Sequence, residues 1–157
     1  MAVKPIPDGY HSATPYLIMK GAADAIDFYK RAFGATELFR MADPRGMIGH
    51  AEIKIGDSVI MLADDQPSAT CHGPRSLGGS TVGLLIYLEN VDTVFTRALD
   101  AGGKSLRPIA TQFYGDRSGT LEDPFGHVWT IATHVEDVPP EEMARRAEAA
   151  MKPAAGS

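Results

Sequence analysis

The chain has one cysteine, Cys71, among 157 residues, which excludes an internal disulfide. It has no apolar run of bilayer-spanning length and no signal-peptide pattern, so a cytoplasmic protein with no membrane partner is expected. It also lacks a basic cluster longer than Arg145-Arg146, and its net charge is −5, so no nucleic-acid partner is expected either. What it does have is a 44% hydrophobic content, enough at this length for one compact domain with a sizeable core.

The most informative stretch is Phe113 to Val138, FYGDRSGTLEDPFGHVWTIATHVEDV. An alternating run from Thr120 meets the turn Asp123-Pro124-Phe125-Gly126, and a second run, His127 to His134, leaves it, which is a β-hairpin pattern. Pro124 suits the second position of a type I turn and Gly126 a position of positive φ. A weaker twin, GHAEIKIGDSVIMLAD (Gly49 to Asp64), hinges on Gly56-Asp57. A shift of seventy positions lays Gly49, Glu52 and Gly56 on Gly119, Glu122 and Gly126. Ile18 to Phe33 and Tyr87 to Leu99 are likewise a matched pair, each a strand end followed by an amphipathic helix. The chain therefore reads as two strand-helix-strand-strand-strand copies of roughly sixty residues each.

Residues 1–11 are punctuated by Pro5, Pro7 and Gly9, and His11 at their edge reads as a surface histidine. Strands are predicted over Ser12 to Met19, Thr36 to Met41 and Met47 to Ile55, with a turn at Asp43-Pro44-Arg45-Gly46. Between the first two, Ala22, Ala25, Ile26, Tyr29, Ala32 and Phe33 form one helical stripe that Gly34 ends in a left-handed cap. On the third strand Ala51, Ile53 and Ile55 share one face while His50, Glu52 and Lys54 share the other. Asp64 to Ser80 has linker composition, and the adjacent Cys71 and His72 read as an inert thiol beside a histidine, because such a loop holds no catalytic geometry. Val82 to Leu88 reads as a strand covered on both faces. Asn90 caps a second helix with the stripe Val91, Val94, Phe95, Ala98 and Leu99, ended by Gly102-Gly103, and Lys104 to Pro108 opens the second sheet. The Phe113-Tyr114-Gly115-Asp116-Arg117 cluster offers a phenol, a carboxylate and a guanidinium. That mix suits either a small polar ligand or a surface pair beside a core tyrosine. Beyond Val138, Pro139-Pro140 and two glutamates start a helix with a thin stripe, Met143, Ala147 and Met151, which packs on its own domain or on a partner; Pro153 to Ser157 should fray.

The duplication, the DPFGH turn and the preceding FYGDR resemble the vicinal oxygen chelate superfamily of glyoxalase and bleomycin-resistance proteins. TPYLIMKGAADAIDFYKRAFGATE and GHAEIKIGDSVIMLAD add a resemblance to its PhnB-like branch, and the likeness covers Ala13 to Val138. It implies an α+β fold of two βαβββ modules forming a curved mixed sheet around a cup, with the helices on the convex side. The domain would occupy 1–138, its modules about 12–64 and 80–138, with a helical tail at 139–157. His50 and Glu52 would then line the cup, where an ordinary sheet would leave them in solvent. Metal-using members draw ligands from the first and last strands of each module. Those places fall at Thr14, Ile60, Gly83 and Thr130, which are no ligand set for a divalent metal, so no metal or other cofactor is expected. A displaced set drawn from His50, Glu52, His127 and His134 stays open, although His127 and His134 are out of phase on their strand. The expected function is metal-free binding of a small molecule in the cup, through His50, Glu52, Tyr114, Asp116, Arg117 and Thr130. A lyase or isomerase using His50, Glu52 or Tyr114 is the alternative. Strand parity from Thr130 puts Val128, Ala132 and His134 in the cup and Trp129 and Ile131 against the helices. A homodimer is expected, because relatives complete the cup across a two-fold axis.

Overall fold

The computed structural model describes residues 2–153. The first module comprises β1 (Tyr16–Met19), α1 (Ala22–Phe33), β2 (Thr36–Ala42), β3 (Ile48–Ile55) and β4 (Ser58–Asp64). The second comprises β5 (Gly83–Tyr87), α3 (Val91–Asp100), β6 (Lys104–Thr111), β7 (Asp116–Glu122) and β8 (Val128–His134). A short α2 (Pro74–Leu77) lies between them and α4 (Pro140–Met151) follows. The sheets run β1-β4-β3-β2 and β5-β8-β7-β6, so the two modules match strand for strand. In each, the first strand pairs in parallel with the last, and the remaining pairs are antiparallel. This is the α+β, two-module architecture the duplication implied, hydrogen-bonded as two separate four-stranded sheets.

Local chemistry accounts for most of the elements. Gly34 ends α1 in the left-handed region at φ 68°, and Asn90 accepts a hydrogen bond from the Thr93 amide at the start of α3. The α1 stripe is buried as expected, with Phe28 included. Asp64 accepts from the Gly21 and Ala22 amides, binding the last strand of the module to the first turn of α1. β6 continues past Pro108 to Thr111 because the proline sits on an edge strand, within a register shift between Arg107 and Ala110. Two expectations need correction. Asp64 to Ser80 is no plain linker: it contains α2, and Asp65 gathers His72, the Gly73 amide and Ser76, which holds its carboxyl down at about 2. β5 is covered on one face only, because the core packs on just that side of the sheet: Leu84 and Ile86 meet it, while Leu85 and Tyr87 stand exposed on the other face. The fraying expected at the C-terminus falls mostly on residues 154–157, outside those described.

The modules share one core. Trp129 of β8 lies 4.9 Å from the Phe33 ring and 5.3 Å from the Tyr29 ring, both on α1 of the other module. At the centre is Asp123, only 1% exposed. Its Oδ1 accepts from the Phe125 and His127 amides, which closes the DPFGH turn. Its Oδ2 accepts from Tyr29 Oη at 2.6 Å and Trp129 Nε1 at 2.9 Å. His127 Nε2 reaches the Ile18 carbonyl of β1 at 2.9 Å, and Arg97 of α3 donates to the Ala32 carbonyl of α1. At the C-terminal end, Arg146 of α4 holds Glu136 and the Phe113 carbonyl. Gly115 is needed there: at φ 100°, a Cβ would stand 2.1 Å from the Glu136 carbonyl oxygen. No helix among the described residues is long and apolar enough to cross a membrane.

Two stability predictions follow from these contacts. Asp123→Ala leaves the Tyr29 hydroxyl and the Trp129 indole N–H buried and unpaired, at about 1–3 kcal/mol each, so urea unfolding should show a loss of about 3–5 kcal/mol. Asp123→Asn should recover only part of it, since its NH2 must face either Trp129 Nε1 or the turn amides, all of which are donors. A loss under about 1 kcal/mol for Asp123→Ala would show that the carboxylate is not central. The second concerns His134, whose Nδ1 contacts Asp116 and whose Nε2 contacts Asp137, at 2.8 and 2.9 Å. Hydrogen bonds to Asp116 and then Asp137 raise its pKa in the folded state. A raised folded pKa contributes stability in full below the unfolded value near 6.5 and loses it as pH rises through the folded value. The melting-temperature gap between wild type and His134→Ala should therefore be wider at pH 5.5 than at pH 8.5. A gap that does not change with pH would contradict the assignment.

Candidate functional site

Each sheet has a face that meets the helices and a face that does not, and the strand period of two sorts the side chains between them. On β3, Ile48, Ala51, Ile53 and Ile55 are buried while His50 and Glu52 are half-buried on the helix-free face, as the alternation predicted. On β8, Trp129 and Ile131 belong to the core, and Thr130 takes the other side, within 3.0 Å of Thr120 Oγ1. Register places Tyr16, Met61, Glu52 and Phe39 in one line across the first sheet. It places Leu85, Thr130, Thr120 and Arg107 in the matching line across the second.

The first sheet carries a chain of polar contacts on this face. Glu52 Oε1 lies 3.0 Å from His50 Nε2, His50 Nδ1 lies 2.7 Å from Tyr16 Oη, and Tyr10 from the N-terminal arm donates to Glu52 Oε2. The hydrogen bond from Tyr10, then that from His50, holds the Glu52 carboxyl below the ordinary glutamate range, so it is ionised at neutral pH and can only accept. Nε2 of a neutral His50 therefore carries the proton, and Nδ1 accepts from the Tyr16 hydroxyl. Burial, then the charge of Glu52, raises the pKa of Tyr16 and keeps it a phenol.

The second sheet carries a different order. Asp116, buried, accepts from Tyr87 Oη at 2.8 Å and from His134 Nδ1, while Asp137 takes the other ring nitrogen of His134. A carboxylate on each nitrogen favours the protonated ring and raises its pKa. Tyr114 sits on the β6–β7 loop, its ring edge-on to Phe113 at 5.3 Å. Arg117 points the other way from Asp116. It pairs with Asp92 in the first turn of α3 through two 2.7 Å contacts, so the expected grouping of Asp116 and Arg117 at one site is corrected by strand parity.

The two edge strands β1 and β5 flank a cleft of about 600 Å³ lined by Tyr16, Ile18, Cys71, Val82, Leu84 and His127. A second cavity of about 410 Å³ shares Tyr16, Ile18 and Cys71. Cys71 is thus exposed, as expected, but at the wall of these cavities, and its neighbour His72 is committed to Asp65.

The four places where relatives would hold a metal carry no carboxylate, imidazole or thiolate. Ile60 pairs with Ile53 in the core, Thr130 lies on the helix-free face, Thr14 precedes β1, and Gly83 has no side chain. Parity makes Met61, not Ile60, the β4 residue on the face of Glu52. Among the described residues no three His, Cys, Asp or Glu side chains are placed to hold a metal ion. His127, a member of the displaced set, is turned to the Ile18 carbonyl. The donor types and their positions therefore do not fit a divalent cation.

Sequence reasoning missed Tyr10, Tyr16, Tyr87 and Asp123. The parity of β1 could have found Tyr16, whereas nothing local signals Tyr10, whose partner lies 42 positions away.

Comparison with known proteins agrees with this architecture. The sequence model of the Glyoxalase/Bleomycin resistance protein/Dioxygenase superfamily matches residues 11–131. An uncharacterized protein of Mycobacterium bovis is 41% identical over 134 residues, covering 83% of this chain and 88% of its own length. The solved structure of an Arabidopsis thaliana gene product superposes with a TM-score of 0.65 at 25% identity, covering 78% of this chain and 98% of that one. The PhnB protein of Bacillus cereus shares the fold, with a TM-score of 0.62 at 21% identity over 78% of this chain and 99% of its own. A doubled βαβββ topology and a family match spanning both copies make this chain a member of the glyoxalase/bleomycin resistance/dioxygenase superfamily.

Proposed function

We propose that this protein binds a small, largely apolar molecule without a metal, against the helix-free faces of its sheets. The observation that carries this reading is the content of those faces. They combine a few polar groups, the linked Tyr16, His50 and Glu52 on the first sheet and Thr130 on the second, with the exposed apolar side chains Phe39, Met41, Leu85 and Tyr87. Apolar walls with a few convergent polar groups suit a ligand whose affinity comes from burial and whose orientation comes from one or two hydrogen bonds. His50, Glu52 and Thr130 are the proposed polar contacts, with Asp116 and Tyr114 at the far end of the second sheet. Arg117 is left out because it serves α3. The misfit of the donor set to a cation supports the metal-free part of the reading. The open faces also favour a homodimer in which the sheet of one copy covers that of the other and completes a cup, since exposed apolar area of this kind marks an interaction surface.

A ligand bound only by the folded state at a hundredfold excess over Kd adds roughly 2.7 kcal/mol, about 5–10 °C in Tm for a chain of this size. Screening small aromatic and aliphatic molecules by thermal shift should give hits of that order. Their shift should be lost in His50→Ala and kept in Arg31→Gln on the solvent side of α1, and light scattering should give the mass of two chains. Hits that keep their shift in His50→Ala would place binding elsewhere, and a monomeric mass would remove the shared cup.

A further inference from the structure

We propose that Tyr16 Oη is the reacting atom of an acid–base centre, with His50 taking the phenol's proton and Glu52 holding the ring, that acts on small molecules entering the cleft beside β1. The proposal rests on the reading of the helix-free face as a ligand site, and goes beyond binding.

The geometry is that of a reactive hydroxyl, a base and an orienting carboxylate in series. Tyr16 Oη to His50 Nδ1 is 2.7 Å, and His50 Nε2 to Glu52 Oε1 is 3.0 Å. This is the order that serine hydrolases use to activate a hydroxyl, here with a more acidic phenol in that place. Glu52 is itself fixed by Tyr10 on its other oxygen, so the carboxylate cannot turn away from the ring. Tyr16 is 47% exposed, and it lines both the 600 Å³ cleft and the 410 Å³ cavity. Tyr16 is therefore open to a ligand while the two residues behind it are half-buried.

The second sheet supplies the contrast. There the carboxylate of Asp116 stands between Tyr87 and His134, and Asp137 occupies the remaining nitrogen of the ring. His134 has no free nitrogen to accept a proton, and Tyr87 donates to a carboxylate, not to an imidazole. Both sheets hold a phenol, an imidazole and a carboxylate, but only in the first is the imidazole in the middle, where it can take a proton from the phenol.

The step balances as follows for 5-nitrobenzisoxazole, a planar probe of general-base catalysis. The C3–H bond breaks and its proton passes to Tyr16 Oη as the phenol's own proton passes to His50 Nδ1. The C–H electron pair forms the nitrile, the N–O bond breaks, and 2-cyano-4-nitrophenolate leaves. The imidazolium, paired with Glu52, then returns its proton to water. The groups facing His50 are Tyr16 from β1, Glu52 from its own strand and the uncharged Phe39 ring of β2, and Tyr10 acts only through Glu52. Protonating His50 removes the acceptor at Nδ1, so the rate should fall on acidification.

The test is the release of nitrophenolate by the full chain. A general base of this kind contributes roughly 10²-fold or more over buffer. Wild type should show that acceleration, Tyr16→Phe should return to the buffer rate, and Glu52→Gln should lose kcat. The acidic limb seen in wild type should be absent from the residual rate of Tyr16→Phe. 15N-histidine NMR should show His50 as the Nε2–H tautomer. Retention of the rate in Tyr16→Phe, or an Nδ1–H tautomer, overturns the proposal. A thermal shift with 5-nitrobenzotriazole, an unreactive planar analogue, separates the two readings. Binding without turnover of the benzisoxazole overturns the acid–base centre alone, and absence of both also removes planar molecules as ligands of this face.

Discussion

One buried carboxylate ties this molecule together. Asp123 has no cationic partner; its charge is met by four donors, two from the turn it begins and two from the cores of the two modules. Removing an ionised carboxylate from water costs several kcal/mol, and hydrogen bonds to a charged acceptor return about 1.5–3 kcal/mol each. Four such bonds together offset the cost. The geometry of the DPFGH turn, the placement of Trp129 under α1 and the join between the modules are therefore one constraint. Tyr29 feels the same constraint from the other side, since burial and then the charge of Asp123 raise its pKa well above the ordinary value.

The helices and the Trp129 cluster cover one face of each sheet and leave the other face free. Duplication gives both copies the same strand order and the same division into a core face and a free face. The two copies have diverged on the free face. The first holds a phenol, an imidazole and a carboxylate in an order that can shift a proton, and the second holds the same three groups in an order that favours a protonated ring. The fold thus supplies two equivalent platforms, and the chemistry of each depends on which residue type stands in the middle.

Much of this was legible in the sequence because it rests on local periodicity. The α1 and α3 stripes, the Gly34 and Asn90 caps, and the alternation of His50 and Glu52 with Ala51 and Ile53 follow from spacing alone. Among the features misread, two depend on contacts distant in sequence and one on a strand start that adjacency obscured. β5 reads as covered on both faces because its residues are apolar, yet the core packs on one side only and leaves Leu85 and Tyr87 exposed. Asp116 and Arg117 read as one cluster because they are adjacent, although strand parity sends them to opposite faces. Asp123 reads as a turn residue, and its second role needs Tyr29, 94 positions earlier.

The central claim is that the free faces, and not the helices, receive the ligand. Amide hydrogen exchange with and without a thermal-shift hit tests it most directly. The account predicts new protection concentrated on β1, β3 and β8, at the strands that carry Tyr16, His50, Glu52 and Thr130. Protection confined to α1, α3 or residues 65–80, with those strands unchanged, would contradict it.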